Sequence, residues 1–217
     1  MTTLEDVWPL FQLCLTTPRL VLRPVRDEDI PAYIEAAASG IHDPERTPFA
    51  VPWTDAAPEI LPGNLARWIW QQRNECAPAD WNIIFGVWTH EGNFLGTQCI
   101  GAKDFGTLRT VETGSWLRRS VQRRGFGHEM RAAVLLWAFD WLGAECALTG
   151  AVDWNGGSLG VSRRLGYVPN GEKRVTTRPG VVERELLLRL SPHDFRRPDW
   201  TLTIEGANET AAFLGLQ

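Results

Sequence analysis

Residues 111–142 read VETGSWLRRSVQRRGFGHEMRAAVLLWAFDWL. Ser115, Trp116 and Leu117 close an extended run, and Gln122-Arg123-Arg124-Gly125-Phe126-Gly127 forms a basic, glycine-containing loop. From His128 onward the apolar residues Met130, Ala133, Val134, Trp137 and Trp141 recur at three- and four-residue steps, the period of one helix face. A strand that hands a glycine turn to a helix N-terminus builds a site for an anion. The first N–H groups of the helix have no partner inside it, and its dipole favours negative charge there. Glycine lets the backbone approach a ligand closely and adopt positive φ.

The chain has 217 residues, 44% of them hydrophobic, enough to bury a full core. Its net charge of -4 argues against a nucleic-acid partner. Arg118, Arg119, Arg123, Arg124 and Arg131 stand out against that acidic background, as an anion site or as a solvated helix face. Cys14, Cys76, Cys99 and Cys146 are widely spaced without a C-x-x-C pair, so they read as buried apolar residues in a reducing compartment, neither a disulfide frame nor a metal site. MTTLEDVWPLF carries acidic residues and no long apolar core, unlike a signal peptide. The longest apolar run, Ala132 to Phe139, is too short to span a membrane. A cytoplasmic address is expected. Eleven tryptophans and an apolar tail point to self-association as a homo-oligomer.

Leu13 to Pro24 alternates around Leu20 and Leu22 as a half-buried strand. Asp27 is a candidate N-cap for a short helix marked by Ile30, Ile34 and Ala37 and ending near Gly40. Residues 41–62 form a proline-rich loop without period, the kind that serves binding. Its Phe49, Val51 and Trp53 are expected to line a pocket or a partner surface. Asn64 is expected to cap a helix running to Glu75, with Leu65, Trp68 and Ile69 inward. Trp81–Thr89 and Phe94–Ala102 are strands joined by a hairpin at His90-Glu91-Gly92-Asn93. A third strand begins near Arg109 and leads into the central stretch. Cys146–Val152 is a further strand. Asn155-Gly156-Gly157-Ser158 then opens a helix that Gly166 stops, and Glu183–Leu190 is the last strand of the domain. A short strand at Trp200–Ile204 could extend a sheet. The order gives an α+β fold, a mixed, mostly antiparallel sheet with flanking helices and a βαβ-like unit at its centre.

Three landmarks, in order, resemble the GNAT acyltransferases. Gln122-x-x-Gly125-x-Gly127 is similar to their coenzyme A loop. Asn155-x-x-Ser158, followed by Leu165-Gly166-Tyr167, is similar to the segment that closes the coenzyme site. The opening Thr17-Pro18-Arg19-Leu20, followed by Asp27-Glu28-Asp29, resembles the branch that acetylates ribosomal-protein N-termini. The resemblance implies a GNAT domain over residues 1–190, with 191–217 as an extension docking on the domain or on a partner subunit.

It also implies roles. Backbone groups of Ser115 and Leu117 would bond pantetheine and the thioester carbonyl, and the amides from Gln122 to His128, including those of Phe126 and Gly127, would cradle the pyrophosphate. Arg123 and Arg124 suit phosphates because a guanidinium is always charged and forks around two oxygens. Asn155 would reach the pantetheine arm. Acyl-CoA is then a co-substrate, with no metal, and the acceptor is a primary amine on a peptide or small molecule. Glu112 stands where the ribosomal branch carries a glutamate usually proposed as base, its alternative being an exposed strand residue. Ser158 is either a donor to the sulfur or a helix cap. Ser162 occupies the position where many members carry a tyrosine that acts as general acid, and Tyr167 reads as packing. The 42–53 loop resembles an actinobacterial subgroup in which some members use succinyl-CoA, with Arg46 or His42 as a carboxylate partner, so acetyl-CoA and succinyl-CoA are both candidate donors. A non-catalytic acyl-CoA sensor is the alternative class.

Overall fold

The sheet begins with an interruption. The computed structural model describes residues 1–216, and in it the run from Leu13 to Pro24 is two strands, β1 (Cys14–Thr16) and β2 (Leu20–Pro24). Pro18 cannot donate to a ladder, and the Thr17 hydroxyl accepts the Leu20 N–H at 3.0 Å, folding the run into a hairpin. The remaining strands are β3 (Asp80–Thr89), β4 (Phe94–Lys103), β5 (Thr110–Leu117), β6 (Cys146–Val152), β7 (Val168–Arg178), β8 (Val181–Leu190) and β9 (Thr203–Glu205). The helices are α1 (Leu4–Val7), α2 (Ile30–Ala38), α3 (Leu61–Glu75), α4 (Phe105–Leu108), α5 (Phe126–Asp140), α6 (Gly156–Leu165) and α7 (Ala207–Phe213). No helix among the described residues is long and apolar enough to cross a membrane.

All nine strands form one sheet in the order β7-β8-β6-β5-β4-β3-β2-β1-β9. Every pairing is antiparallel except β5 with β6, which is parallel. This is the α+β architecture expected, with an added strand. β7 escapes a reading by period because ten of its eleven residues are not buried, Thr177 being the exception, so no apolar alternation marks it. Backbone pairing with β8 holds it at the sheet edge.

One face of the sheet carries α5. Its apolar stripe is wider than the period implied: Ala132, Leu135, Leu136, Ala138 and Phe139 are buried along with Met130, Ala133, Val134 and Trp137. The helix is covered on its outer side by the tail, where Phe195 packs on Phe139 at 5.6 Å and Arg197 grips Asp140 through two 2.8 Å bonds. Trp141, expected inward, lies past the last turn and is exposed. The opposite face carries α2 and α3. α3 starts three residues before the expected Asn64 cap, with Pro62 in its first turn, where a missing N–H costs nothing. Its buried stripe is therefore Leu61, Leu65 and Ile69, and Trp68 falls outside it. Asp29, not Asp27, is the N-cap residue of α2; its side chain makes no bond into the helix and instead fixes the entering turn by accepting the Arg26 N–H at 2.8 Å. The four cysteines are free and half-buried, less buried than expected.

Gly166 ends α6 at φ 99°. A Cβ there would run into the Asp194 carbonyl oxygen of the tail, and the Arg196 N–H bonds Leu165 O at 2.9 Å alongside. Gly166→Ala combines left-handed strain with a backbone collision, and is expected to destabilise the protein by about 2–4 kcal/mol. Denaturant midpoints would measure this, and limited proteolysis should cut the variant first after residue 190. An unchanged midpoint would show that the tail is not seated as described.

Candidate functional site

β5 and β6 run together for three residue pairs only, Thr110 with Cys146, Val111 with Ala147, and Glu112 with Leu148. Beyond Glu112 they part. The Thr149 hydroxyl donates to Thr113 O at 3.0 Å and closes the base of the gap. Strand alternation fixes what faces it. Thr113 O points to β6 and Gly114 O to the β4 side, where Gln98 Nε2 donates to it at 3.0 Å. The backbone groups of Thr113, Ser115 and Leu117 therefore face the gap. Leu117 O is already taken by Gln122 Nε2 at 2.8 Å, which leaves the N–H groups of Ser115 and Leu117.

At the open end of the gap the chain turns into α5. Gly125 is the N-cap at φ 86°, and Arg123 adopts φ 62°. Two of the amides assigned to the anion cradle are already engaged: Gln122 N–H bonds Arg119 O at 3.3 Å and His128 N–H bonds Gly125 O at 3.1 Å. The cradle narrows to the amides from Arg123 to Gly127. Gln122 serves as a brace, its side chain donating to Ile41 O at 2.6 Å as well as to Leu117 O. Gly127 lies against α6; an added Cβ would meet Val161 at 3.6 Å, an ordinary contact. The side chains of Arg123 and Arg124 are exposed at the loop.

The loop is tied down by Glu129, a buried carboxylate in the first turn of α5. It accepts from the Thr17 hydroxyl at 2.7 Å, from Arg19 N–H at 3.0 Å and from Arg19 Nε at 2.6 Å. Arg19 passes the tether on: its Nη1 donates to Arg124 O at 3.0 Å and its guanidinium lies over the Phe126 ring at 4.7 Å. The sequence reading missed Glu129, although Glu in the first turn of a helix complements its dipole. Burial, with Arg164 nearby, pushes the His128 pKa down, so its ring is neutral at pH 7.

On the far side of the gap Asn155 caps α6, its Oδ1 accepting the Ser158 N–H at 3.2 Å. The cap is therefore Asn155 and not Ser158. The Ser158 carbonyl accepts the Ser162 hydroxyl at 3.1 Å. Ser162 is buried and also receives Arg131 Nη1 at 3.1 Å. Tyr167 is buried with its hydroxyl 3.4 Å from Thr113 Oγ1, in keeping with packing.

Glu112, Gly114 and Trp116 share the other face of β5. Glu112 is exposed, and a Cβ on Gly114 would meet nothing within 4 Å. An open strip of strand thus lies between the carboxylate and Trp116. Trp116 is walled by Tyr33 at 5.3 Å and Trp53 at 5.9 Å, with Phe49 and His42 stacked behind. Phe49 and Trp53 are partly buried against the core cluster of α2 and α3, and Val51 is exposed. The 41–62 loop is held across the site by Arg178 of β7, which donates to Asp55 at 2.6 Å, Pro44 O at 2.7 Å and Glu45 O at 2.8 Å. His42 spends both ring nitrogens inside the loop, on Asp43 O and the Thr54 hydroxyl. Arg46 is exposed and lies over Trp154, next to Asn155, at 5.6 Å. Cys99, paired with Gly114 across the ladder, has its thiol pushed up to about 12 by burial, so it is no nucleophile at neutral pH.

Residues 19–168 match the family model described as an acetyltransferase (GNAT) domain. Among solved structures the chain is similar to Mycobacterium smegmatis RimJ in complex with CoA-disulfide, at 18% identity and a TM-score of 0.69, over 94% of this chain and 95% of that one. It is similar to a GCN5-related N-acetyltransferase from Brucella melitensis at 18% identity and TM-score 0.65, over 83% of this chain and 79% of that one. A Vibrio cholerae protein described as a ribosomal-protein-serine acetyltransferase gives 18% identity and TM-score 0.64, over 82% and 97%. At these identities the likeness is one of fold.

Proposed function

The chain belongs to the GNAT acetyltransferase family, and from that premise we propose that it moves an acyl group directly from a coenzyme A thioester to a primary amine held against β5. The observation that carries this reading is the gap. It has free strand N–H groups on one side, the Asn155 cap on the other and the α5 N-terminus at its mouth. The amides from Arg123 to Gly127, with the Arg123 and Arg124 guanidinium groups, take the pyrophosphate. Ser115 and Asn155 hold the pantetheine arm, and Leu117 N–H donates to the thioester oxygen as charge develops on it. The acceptor comes from the opposite face along Gly114, where Glu112 removes its proton, directly or through water. Ser158, whose hydroxyl is not used in the cap, is the donor assigned to the sulfur.

Arg46 gives the donor question a physical form. It is exposed on a loop strapped down by Arg178 and lies beside Asn155, which suits an acyl group ending in a carboxylate better than His42 does. Isothermal titration with acetyl-CoA, succinyl-CoA and free coenzyme A tests both levels of the reading. All three are expected to bind, with succinyl-CoA up to about fivefold tighter and that preference lost in Arg46→Ala, because a single exposed charge pair contributes at most about 1 kcal/mol. Equal affinities and turnover for the two thioesters would remove the carboxylate pocket. Absence of binding to any of them would overturn the acyltransferase reading itself.

A further inference from the structure

A helix as deeply buried as α5 should not carry a charge, yet it carries Arg131, 3% exposed. Its Nη1 donates to Ser162 Oγ at 3.1 Å and its Nη2 to Ser115 Oγ at 3.0 Å. Its Nε is buried without any partner. No carboxylate among the described residues forms an ion pair with it. The titratable group beside it is Tyr167, just past the end of α6; His128 and Glu129 precede it on its own helix. Glu129 is committed to Thr17 and Arg19. An arginine does not give up its proton in a protein, so a positive charge lies in the interior with only neutral hydroxyls against it. Removing such a charge from water is costly unless an anion compensates it.

The position of this charge says which anion. Ser115 is on β5 beyond the point where the strands part, and Ser162 is on the helix that follows β6. Arg131 therefore spans the floor of the gap. We propose that Arg131 is the cation that stabilises the coenzyme thiolate as it leaves, a proposal that rests on the coenzyme site described above. In the transfer the amine nitrogen forms its bond to the acyl carbon, the carbon–sulfur bond breaks, and the electron pair stays on sulfur. The proton of the amine goes to the base, and Arg131 remains protonated throughout. Ser162 is no acid here, because its own proton is given to Ser158 O and its lone pair receives Arg131. The charge of Arg131 makes full proton transfer to the sulfur unnecessary, and the Ser158 hydroxyl adds a hydrogen bond to it.

The ionisation of the thiol of bound free coenzyme A, followed by thiolate ultraviolet absorbance against pH, tests this on the intact protein. In the native protein the bound thiol should ionise at lower pH than coenzyme in solution. In Arg131→Met, similar in reach but uncharged, the thiolate fraction at a fixed pH should fall about tenfold, the effect of one nearby charge, with kcat falling in parallel. Acetyl-CoA affinity should stay within about threefold, and Arg131→Lys should restore part of the thiolate. A purely structural arginine would leave the thiol titration unmoved, so identical titrations in native protein and Arg131→Met overturn the proposal. If Arg131→Met does not fold, a bound thiol no more acidic than free coenzyme in the native protein and in Arg131→Lys overturns it equally. Failure of the native protein to bind coenzyme A would instead fall on the coenzyme site itself.

Discussion

Replacing Glu112 with glutamine is expected to lower kcat by about a hundredfold or more, the range for a removed general base, while leaving coenzyme affinity unchanged. The side chain is exposed at the start of the open strip on β5, and none of the residues that form the coenzyme loop contacts it. Stability should move by no more than about 0.5 kcal/mol, as for a surface substitution away from a cap or core contact. The pH profile separates a base from a bystander. An amine must be neutral to attack, and its neutral fraction grows as pH rises toward about 8 for an α-amino group or about 10.4 for a lysine. The deficit of Glu112→Gln should therefore shrink with rising pH, and the pH at which it shrinks should report which kind of amine is used. A variant with native kcat and an unchanged pH profile would return Glu112 to the status of an exposed strand residue.

The parts of this molecule that could be read without coordinates are those written in short-range chemistry. Gly125, Gly127, Asn155 and Gly166 each answer a local demand, for positive φ, for close approach or for a cap, so the turns around the gap were legible. What could not be read depends on partners distant in the chain. β7 is a strand because β8 pairs with it, and its polar residues carry no period of their own. Trp141 and Trp68 fit a helical stripe by count but fall outside the surface that the sheet and tail cover. Glu129 and Arg131 sit two residues apart on one helix; Arg131 reads with its neighbours as an anion site or a solvated helix face, and Glu129 is not singled out. Only the fold reveals that one is buried against Thr17 and Arg19 and the other against Ser115 and Ser162. The 41–62 loop was legible as irregular and apolar, but its place over the site depends on Arg178, more than a hundred residues further on.

Gly125→Trp is expected to weaken coenzyme binding by at least about a hundredfold, equivalent to roughly 2.8 kcal/mol. Three effects point the same way. At φ 86° any side chain strains the backbone by about 1–2 kcal/mol, which loosens the turn that aims the loop amides. The new Cβ would stand 3.1 Å from Arg19 Nη2, and the indole beyond it would drive Arg19 from Arg124 O and from Glu129, undoing the tether that holds the loop closed. The indole also takes up the space in front of the α5 N-terminus that a pyrophosphate would need, and an apolar ring there cannot replace its charge-assisted hydrogen bonds. Gly127→Ala is the control, since its methyl group meets Val161 and Leu117 at 3.6 and 3.8 Å, ordinary contact distances; it should fold and bind within a few-fold of the native protein. Titration calorimetry on the three proteins, with thermal melts to establish folding, decides the matter. A folded Gly125→Trp protein that binds coenzyme A with native affinity would place the pyrophosphate somewhere other than the α5 N-terminus, because no conformer of a tryptophan at that cap leaves the loop amides both aimed and free.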